Sequence, residues 1–324
     1  MDVASEKLGM ANQIIEKDFW VCWLLEKLFS IATIRENLTF KGGTSLSKVY
    51  SVINRFSEDI DISIEKSFFG FIGDKDPEKV GSKKRNELLK ELTLKCQSFV
   101  KDELIRLLED KIKVEISGDW NVSLDENDPD QQTILFHYPL STTGSTGGYI
   151  RPSVKIEIGA RSEHWPVSNK HITSYLKQSL SDKIHENPNE VKVLNLERTF
   201  WEKATILHMY AHYPPEKSVP LRQSRHYCDF CCLIESPYIS ESEKLTDLLE
   251  RVAHHKSIYF RAGWAQYETA KRGSLKLIPE RPILKSMEDD YKKMNEMFIG
   301  SPPTWSHIIE VIAEFERRFN KADS

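Results

Sequence analysis

Two short runs of the chain place acids where a strand would otherwise be apolar. In FSEDIDISI, Phe56 to Ile64, residues Ile60, Ile62 and Ile64 fall on one side of an extended backbone, and Asp59, Asp61 and Ser63 fall on the other. In SVKIEI, Ser153 to Ile158, Val154, Ile156 and Ile158 share one face, and Ser153, Lys155 and Glu157 share the opposite one. The aliphatic residues hold each strand in a core while the carboxylates gather on the other side. Three carboxylates aimed into one space repel one another unless a cation sits among them. Mg²⁺, or Mn²⁺ in its place, suits such a set of oxygen donors. Two such ions about 3.5–4 Å apart form a clamp for in-line attack on phosphorus. Asp59, Asp61 and Glu157 are therefore the candidate metal ligands, although any one acidic pair is more often the wet face of a sheet.

The preceding segment shifts that balance. Gly42-Gly43-Thr44-Ser45 ends a short strand and feeds a helix. It offers backbone N–H groups, two hydroxyls and the positive end of a helix dipole, the features that hold phosphate. Lys48 on the same helix joins this nucleotide-binding set. A phosphate binder and a metal binder at neighbouring strand ends point to a nucleoside triphosphate (NTP) site.

The elements that must position these residues are legible in outline. Ala11 to Ile31 has a wide apolar face at helical spacing, interrupted by Lys17 and Asp18. Asn37 to Lys41 reads as a strand, Ser45 to Ile53 as a helix, and Arg85 to Glu109 as a long charged helix. Lys111 to Ser117 and Thr133 to Tyr138 read as strands around an acidic turn, and 142–148 as a hairpin loop. From Asn195 on the pattern is helical, with breaks at Pro214-Pro215 and Pro302-Pro303. The expected class is α+β, with a core over residues 1–165 and a mainly helical part over 166–324 that completes the active site.

Bulk properties bound the rest. The 324 residues are 40 % hydrophobic and 29 % charged, enough for a sizeable core, and the net charge of −4 argues against a surface coated for nucleic acid. Local basic patches remain as places to meet RNA: Lys83-Lys84-Arg85, Arg222 with Arg225, and Lys271-Arg272. No run of about 18 apolar residues is present, so no membrane contact is expected. No secretion signal is seen, and five cysteines, an odd number, suit the cytoplasm.

At GGTSLSK and RFSEDIDISI the chain resembles the minimal nucleotidyltransferases of the polymerase β superfamily, and more narrowly the AbiEii-type toxins of toxin–antitoxin and phage-defence systems. IIEKDFWVCWLLEKLF, LERTFWEKATILHMYAH (Leu196 to His212) and SRHYCDFCCLIE (Ser224 to Glu235) support the narrower match. The resemblance implies a polymerase-β-like core, a mixed sheet flanked by helices. It implies that Gly43, Thr44 and Ser45 hold the triphosphate and that Asp59 and Asp61 bind metal and are catalytic. Lys203 and Asp229 match its later catalytic positions, with Lys203 neutralising triphosphate charge and Asp229 orienting Lys203 or the incoming base or hydroxyl. Glu157 fits the third carboxylate, and Arg225 is a possible phosphate contact. It also implies Mg²⁺, transfer of a nucleotide to an RNA acceptor such as the tRNA 3′ end, and a separate antitoxin, for which a DNA-binding repressor is one candidate. Two rivals stay open: transfer to a protein or small-molecule hydroxyl, and a non-catalytic module that binds NTP or RNA. The chain departs from the family in reading Gly-Gly-Thr rather than Gly-Ser, and the part beyond about residue 240 has no match.

Other clusters have plainer readings. Cys228, Cys231 and Cys232, with His226 and His208 nearby in sequence, lack the second cysteine pair of a structural zinc site and read as buried thiols. Trp20, Trp23 and Trp201 read as core. Tyr259, Phe260, Trp264 and Tyr267 read as helix packing.

Overall fold

A seven-stranded mixed sheet organises the first of two units. The structure, a computed structural model, describes residues 1–140, 152–180, 189–238, 245–294 and 297–321. The first unit comprises Met1–Val49 and Phe56–Leu194; the second comprises Tyr50–Arg55 and Asn195–Ser324. The strands are β1 (Leu38–Lys41), β2 (Asp59–Ile64), β3 (Asn121–Leu124), β4 (Thr133–His137), β5 (Ser153–Gly159), β6 (Val167–Ile172) and β7 (Asn189–Leu194). They are ordered β3-β4-β5-β2-β1-β7-β6.

Central β2 pairs antiparallel with β1 and parallel with β5. Phe40, Ile60, Ile62, Ile156 and Ile158 are buried, with Ile134 and Phe136 of β4 beside them. Against this apolar face packs α2 (Asn12–Phe29). Trp20 and Trp23 of α2 meet Phe136 at ring-centroid distances of 5.8 and 6.0 Å, and Trp20 stacks on Tyr138 at 5.4 Å. The α+β class and the mixed sheet flanked by helices are as expected. No helix among the described residues is long and apolar enough to cross a membrane.

The polar interruption of α2 has a structural use. Lys17 pairs with Glu58 at 2.5 Å, one residue before the acidic strand. Asp18 accepts the backbone N–H of Tyr175 at 2.6 Å and pairs with Lys48 at 2.7 Å, and the Lys48 ammonium sits 3.7 Å from the Tyr175 ring centroid. Burial pulls the Lys48 amine down, but Cys22, Asp18 and Tyr175 outweigh it and hold the amine above its ordinary range.

Several elements differ from their sequence reading. The helix expected over Ser45 to Ile53 is α3, Gly42–Lys48. The strand expected over Lys111 to Ser117 is instead the end of α5 (Ile105–Ile112) and a turn. Leu104, Leu108 and Ile112 recur every four residues and are all buried, so the helical period runs past the expected stop. The long charged helix spans α4 (Ser82–Phe99), a π-helical turn over Val100–Leu104, and α5. The expected core boundary after residue 165 falls inside the first unit, because β6 and β7 extend its sheet to Leu194. The loop expected at 142–148 lies outside the described residues.

The second unit is helical. It contains α7 (Leu196–Ala211), α8 (Arg225–Glu235), α9 (Thr246–Tyr259), α10 (Arg281–Lys292) and α11 (Trp305–Lys321). Its core joins Phe200 of α7, Phe230 of α8 and Phe315 of α11 at centroid distances of 4.9–5.6 Å, with Trp201 fully buried. The residues beyond 240, unplaced by the resemblance, thus supply part of this core.

Candidate active site

The sheet register decides which side chains stand together. Across β1, β2 and β5, Lys41, Asp61 and Glu157 form one row, and Asp59 lies beside Lys155 in another. All project from the face opposite the isoleucines, and all are half-buried. The expected gathering of Asp59, Asp61 and Glu157 on one face is therefore realised by the backbone.

Asp61 reaches the start of α3. Gly42 has φ +80°, and a Cβ built on it would lie 1.8 Å from Asp61 Oδ2. Two separate demands thus require glycine: a left-handed backbone and the close approach of a carboxylate. Gly42→Ala is expected to destabilise the protein by about 1–3 kcal/mol and to dislodge Asp61. Urea unfolding alongside an activity assay checks this; an unchanged midpoint would mean that the carboxylate does not press on Gly42.

Thr44 and Ser45 are fully buried, and their hydroxyls serve the fold. Thr44 Oγ1 donates to the Asp59 carbonyl oxygen at 2.5 Å and lies 2.9 Å from Ser57 Oγ. Ser45 Oγ donates to the Gly42 carbonyl at 2.8 Å. The Thr44 bond ties α3 to β2 at Asp59, and the Ser45 bond closes the first turn of α3 itself, uses that the sequence reading did not foresee for either hydroxyl. Lys48, expected to bind nucleotide, is buried with its ammonium on Asp18, and that ion pair accounts for its charge.

Glu157 pairs with Lys155 at 2.7 Å. Burial lowers the Lys155 amine, but Glu157 and Asp59 outweigh it and the net shift is upward. A lysine thus shares the face with the acids, and the donor atoms of Asp59, Asp61 and Glu157 are not drawn within 4.8 Å of one another as a set. Asp59 and Asp61, hard oxygen donors with Asp61 against Gly42, fit a divalent cation; Glu157 joins them only by leaving Lys155.

His164 was not singled out by the sequence reading. Its Nδ1 lies 2.6 Å from Thr39 Oγ1 and its Nε2 lies 2.9 Å from Ser63 Oγ, bridging β1 and β2 two residues along the strand from Asp61. Burial, with Lys192 and Lys41 nearby, lowers its pKa to about 3, so the ring is neutral near pH 7.

In the second unit, Lys203 of α7 and Asp229 of α8 meet. Lys203 Nζ donates to Asp229 Oδ2 at 2.7 Å and lies 3.1 Å from His226 Nδ1. Arg55 completes the cluster, its Nε and Nη2 gripping the same carboxylate at 2.7 and 2.9 Å. Burial alone would raise the Asp229 carboxyl, but Arg55 and Lys203 hold it well below the usual range. Burial lowers the Lys203 amine and, with Lys203 and Arg225 beside it, keeps His226 neutral. Arg225 opens α8 half-buried.

Arg55 and His226 were not singled out for this cluster. The one sequence signal for Arg55 is its position four residues before Asp59. The start of α8 is set by Asp290 of α10, which accepts the N–H groups of Arg222 and Ser224 and the Ser224 hydroxyl at 2.6–2.9 Å. His208, considered with the cysteines, instead faces the Gln266 carbonyl at 3.0 Å and accepts the Lys276 N–H at 3.1 Å.

Comparisons with known proteins bear on the family and the fold. Among solved structures the chain is similar to MenT4, a nucleotidyltransferase toxin from Mycobacterium tuberculosis H37Rv. The TM-score is 0.52 and the identity 14 %, over 99 % of this chain and 93 % of that one. At such identity the likeness speaks for the fold. No curated protein matches. The family model described as nucleotidyl transferase AbiEii toxin, Type IV TA system, matches residues 23–320, which include every candidate residue discussed above. The chain therefore belongs to the AbiEii family of nucleotidyltransferase toxins of type IV toxin–antitoxin systems.

Proposed function

We propose that this nucleotidyltransferase moves a nucleoside monophosphate from an NTP to an RNA hydroxyl, the 3′ end of tRNA. It would use Mg²⁺, or Mn²⁺, held by Asp59 and Asp61. The observation that carries this reading is the Asp61 carboxylate lying against Gly42 where β1 passes into α3, with Asp59 on the same face. When bound there, the divalent cation would favour deprotonation of the attacking hydroxyl and neutralise charge on the phosphates. Asp59 and Asp61 hold it, and the Gly42–Gly43 backbone lets phosphate approach closely. The Thr44 hydroxyl keeps α3 fixed on β2 while this occurs.

The roles proposed for Lys203 and Asp229, charge neutralisation and its orientation, rest on the family resemblance. Within their own unit the Asp229 carboxylate holds the Lys203 ammonium at 2.7 Å, as an orienting group would. The tRNA acceptor also rests on the resemblance, as do a place in phage defence and neutralisation by a separately encoded antitoxin, for which a DNA-binding repressor is one candidate; action in the cytoplasm rests on the small, odd number of cysteines.

Incubation with each α-labelled NTP, Mg²⁺ and total RNA tests the reading. Label is expected in RNA of tRNA size, removed by chelation. Label on a protein band instead would move the acceptor to a protein hydroxyl. No product with any of the four NTPs, together with an Asp61→Ala variant no less harmful to cells than the parent, would overturn the reading.

A further inference from the structure

At the far end of α8 a second donor set forms, away from the acids of β2 in sequence and unlike them in chemistry. Cys231 and Glu235 are one helical turn apart on α8, and His307 lies in the first turn of α11. His307 Nε2 is 2.8 Å from Glu235 Oε1, and Cys231 Sγ is 3.8 Å from Glu235 Oε2. The three donor atoms lie within 4.8 Å of one another, the one such group found among the described residues.

We propose that Cys231, Glu235 and His307 bind a zinc ion that ties α11 to α8. Thiolate sulfur, imidazole nitrogen and carboxylate oxygen are the donors zinc takes, whereas magnesium takes oxygen alone. Tetrahedral zinc with the usual bond lengths puts sulfur and nitrogen ligands about 3.5 Å apart. The present spacing therefore closes by small rotations of Glu235 and His307, both about half-exposed at 48 %. Cys231 is buried and needs no movement toward solvent. Binding replaces the Glu235–His307 contact with two metal bonds, and the Cys231 thiol gives its proton to solvent as its sulfur becomes a ligand. Three protein ligands leave the fourth position to water. The packing of Phe230 against Phe315 at 5.5 Å already fixes the two helices side by side, so the site is assembled before the ion arrives.

The plainer account is an exposed His–Glu pair beside an unrelated thiol. Cobalt(II) titration of the reduced full-length chain separates the two. One equivalent is expected to raise a thiolate-to-cobalt charge-transfer band together with visible d–d bands, and Zn²⁺ is expected to abolish them by displacement. Cobalt on the oxygen donors of β2 gives no thiolate band, so binding there is not confused with this site. Cys231→Ser should remove the band, and Cys232→Ser should retain it. His307→Ala, at an exposed position that leaves the fold intact, should weaken binding at least about tenfold. No thiolate band in the full-length chain, a band that survives Cys231→Ser, or unchanged affinity in His307→Ala would each overturn the proposal.

Discussion

Asp61→Asn is expected to abolish nucleotidyl transfer, with a fall of about a thousandfold or more, while the protein stays folded. The substitution preserves the shape that rests against Gly42 and removes only the negative charge. A metal ligand that stabilises transition-state charge contributes several kcal/mol, and each 1.36 kcal/mol is about tenfold in rate. Asp59→Asn should fall in the same range. If the acids are merely the wet face of the sheet, neither change should alter activity by more than a few fold. The readouts are labelled product per unit enzyme and the urea midpoint, which together separate lost chemistry from lost fold. In cells the same variant should relieve growth arrest.

The second large effect belongs to Asp229 and is one of stability. Asp229→Ala removes the counter-ion that Arg55 and Lys203 share, and all three groups are buried. Breaking such a cluster by deleting one partner leaves uncompensated buried charge and costs about 3–5 kcal/mol. Double substitution with Arg55→Met should cost less than the sum of the two single changes, because the Arg55 charge is then no longer left unpaired, although Lys203 still loses its counter-ion.

The pH dependence has a definite sign. The folded-state pKa of Asp229 is depressed, so its contribution is fully present above the unfolded value of about 3.9 and is lost as pH falls below it. The stability gap between parent and Asp229→Ala should therefore be constant near neutrality and narrow below about pH 4. Urea unfolding at pH 7, 5 and 3.5 measures it. A gap that widens on acidification would contradict the ion-pair assignment.

Much of the first unit could be read from the chain because alternation is a local signal. Ile60, Ile62 and Ile64 against Asp59 and Asp61, and Val154, Ile156 and Ile158 against Glu157, assign both faces without knowledge of the partner strand. Parallel pairing then put Asp61 beside Glu157, a relation between residues 96 positions apart that local alternation does not contain. The Lys155–Glu157 pair escaped notice for a related reason: both residues lie on the same polar face, and nothing local says whether a lysine there faces solvent or an acid. Thr44 and Ser45 look identical in sequence whether their hydroxyls face a phosphate or the backbone carbonyls of Asp59 and Gly42. Lys48 reads as an ordinary basic residue until Asp18, 30 positions earlier, is placed next to it.

The helical unit was less legible. Its site is assembled from Arg55, which precedes β2, and from α7 and α8, well over a hundred residues later. A buried arginine in NRFSED carries no periodic mark. The strands β6 and β7 were missed partly because β6 is an edge strand with half-buried or exposed positions up to its final residue, so it lacks the strong aliphatic face of β2 and β5.

The most direct measurement is a crystal structure with Mn²⁺ and a non-hydrolysable NTP analogue, located by the manganese anomalous signal. The expected result is an ion bonded to carboxylate oxygens of Asp59 and Asp61 at about 2.1 Å, with the triphosphate against the Gly42–Gly43 backbone. A bound analogue with no ion between those two carboxylates, or with its phosphates seated elsewhere on the chain, would contradict it.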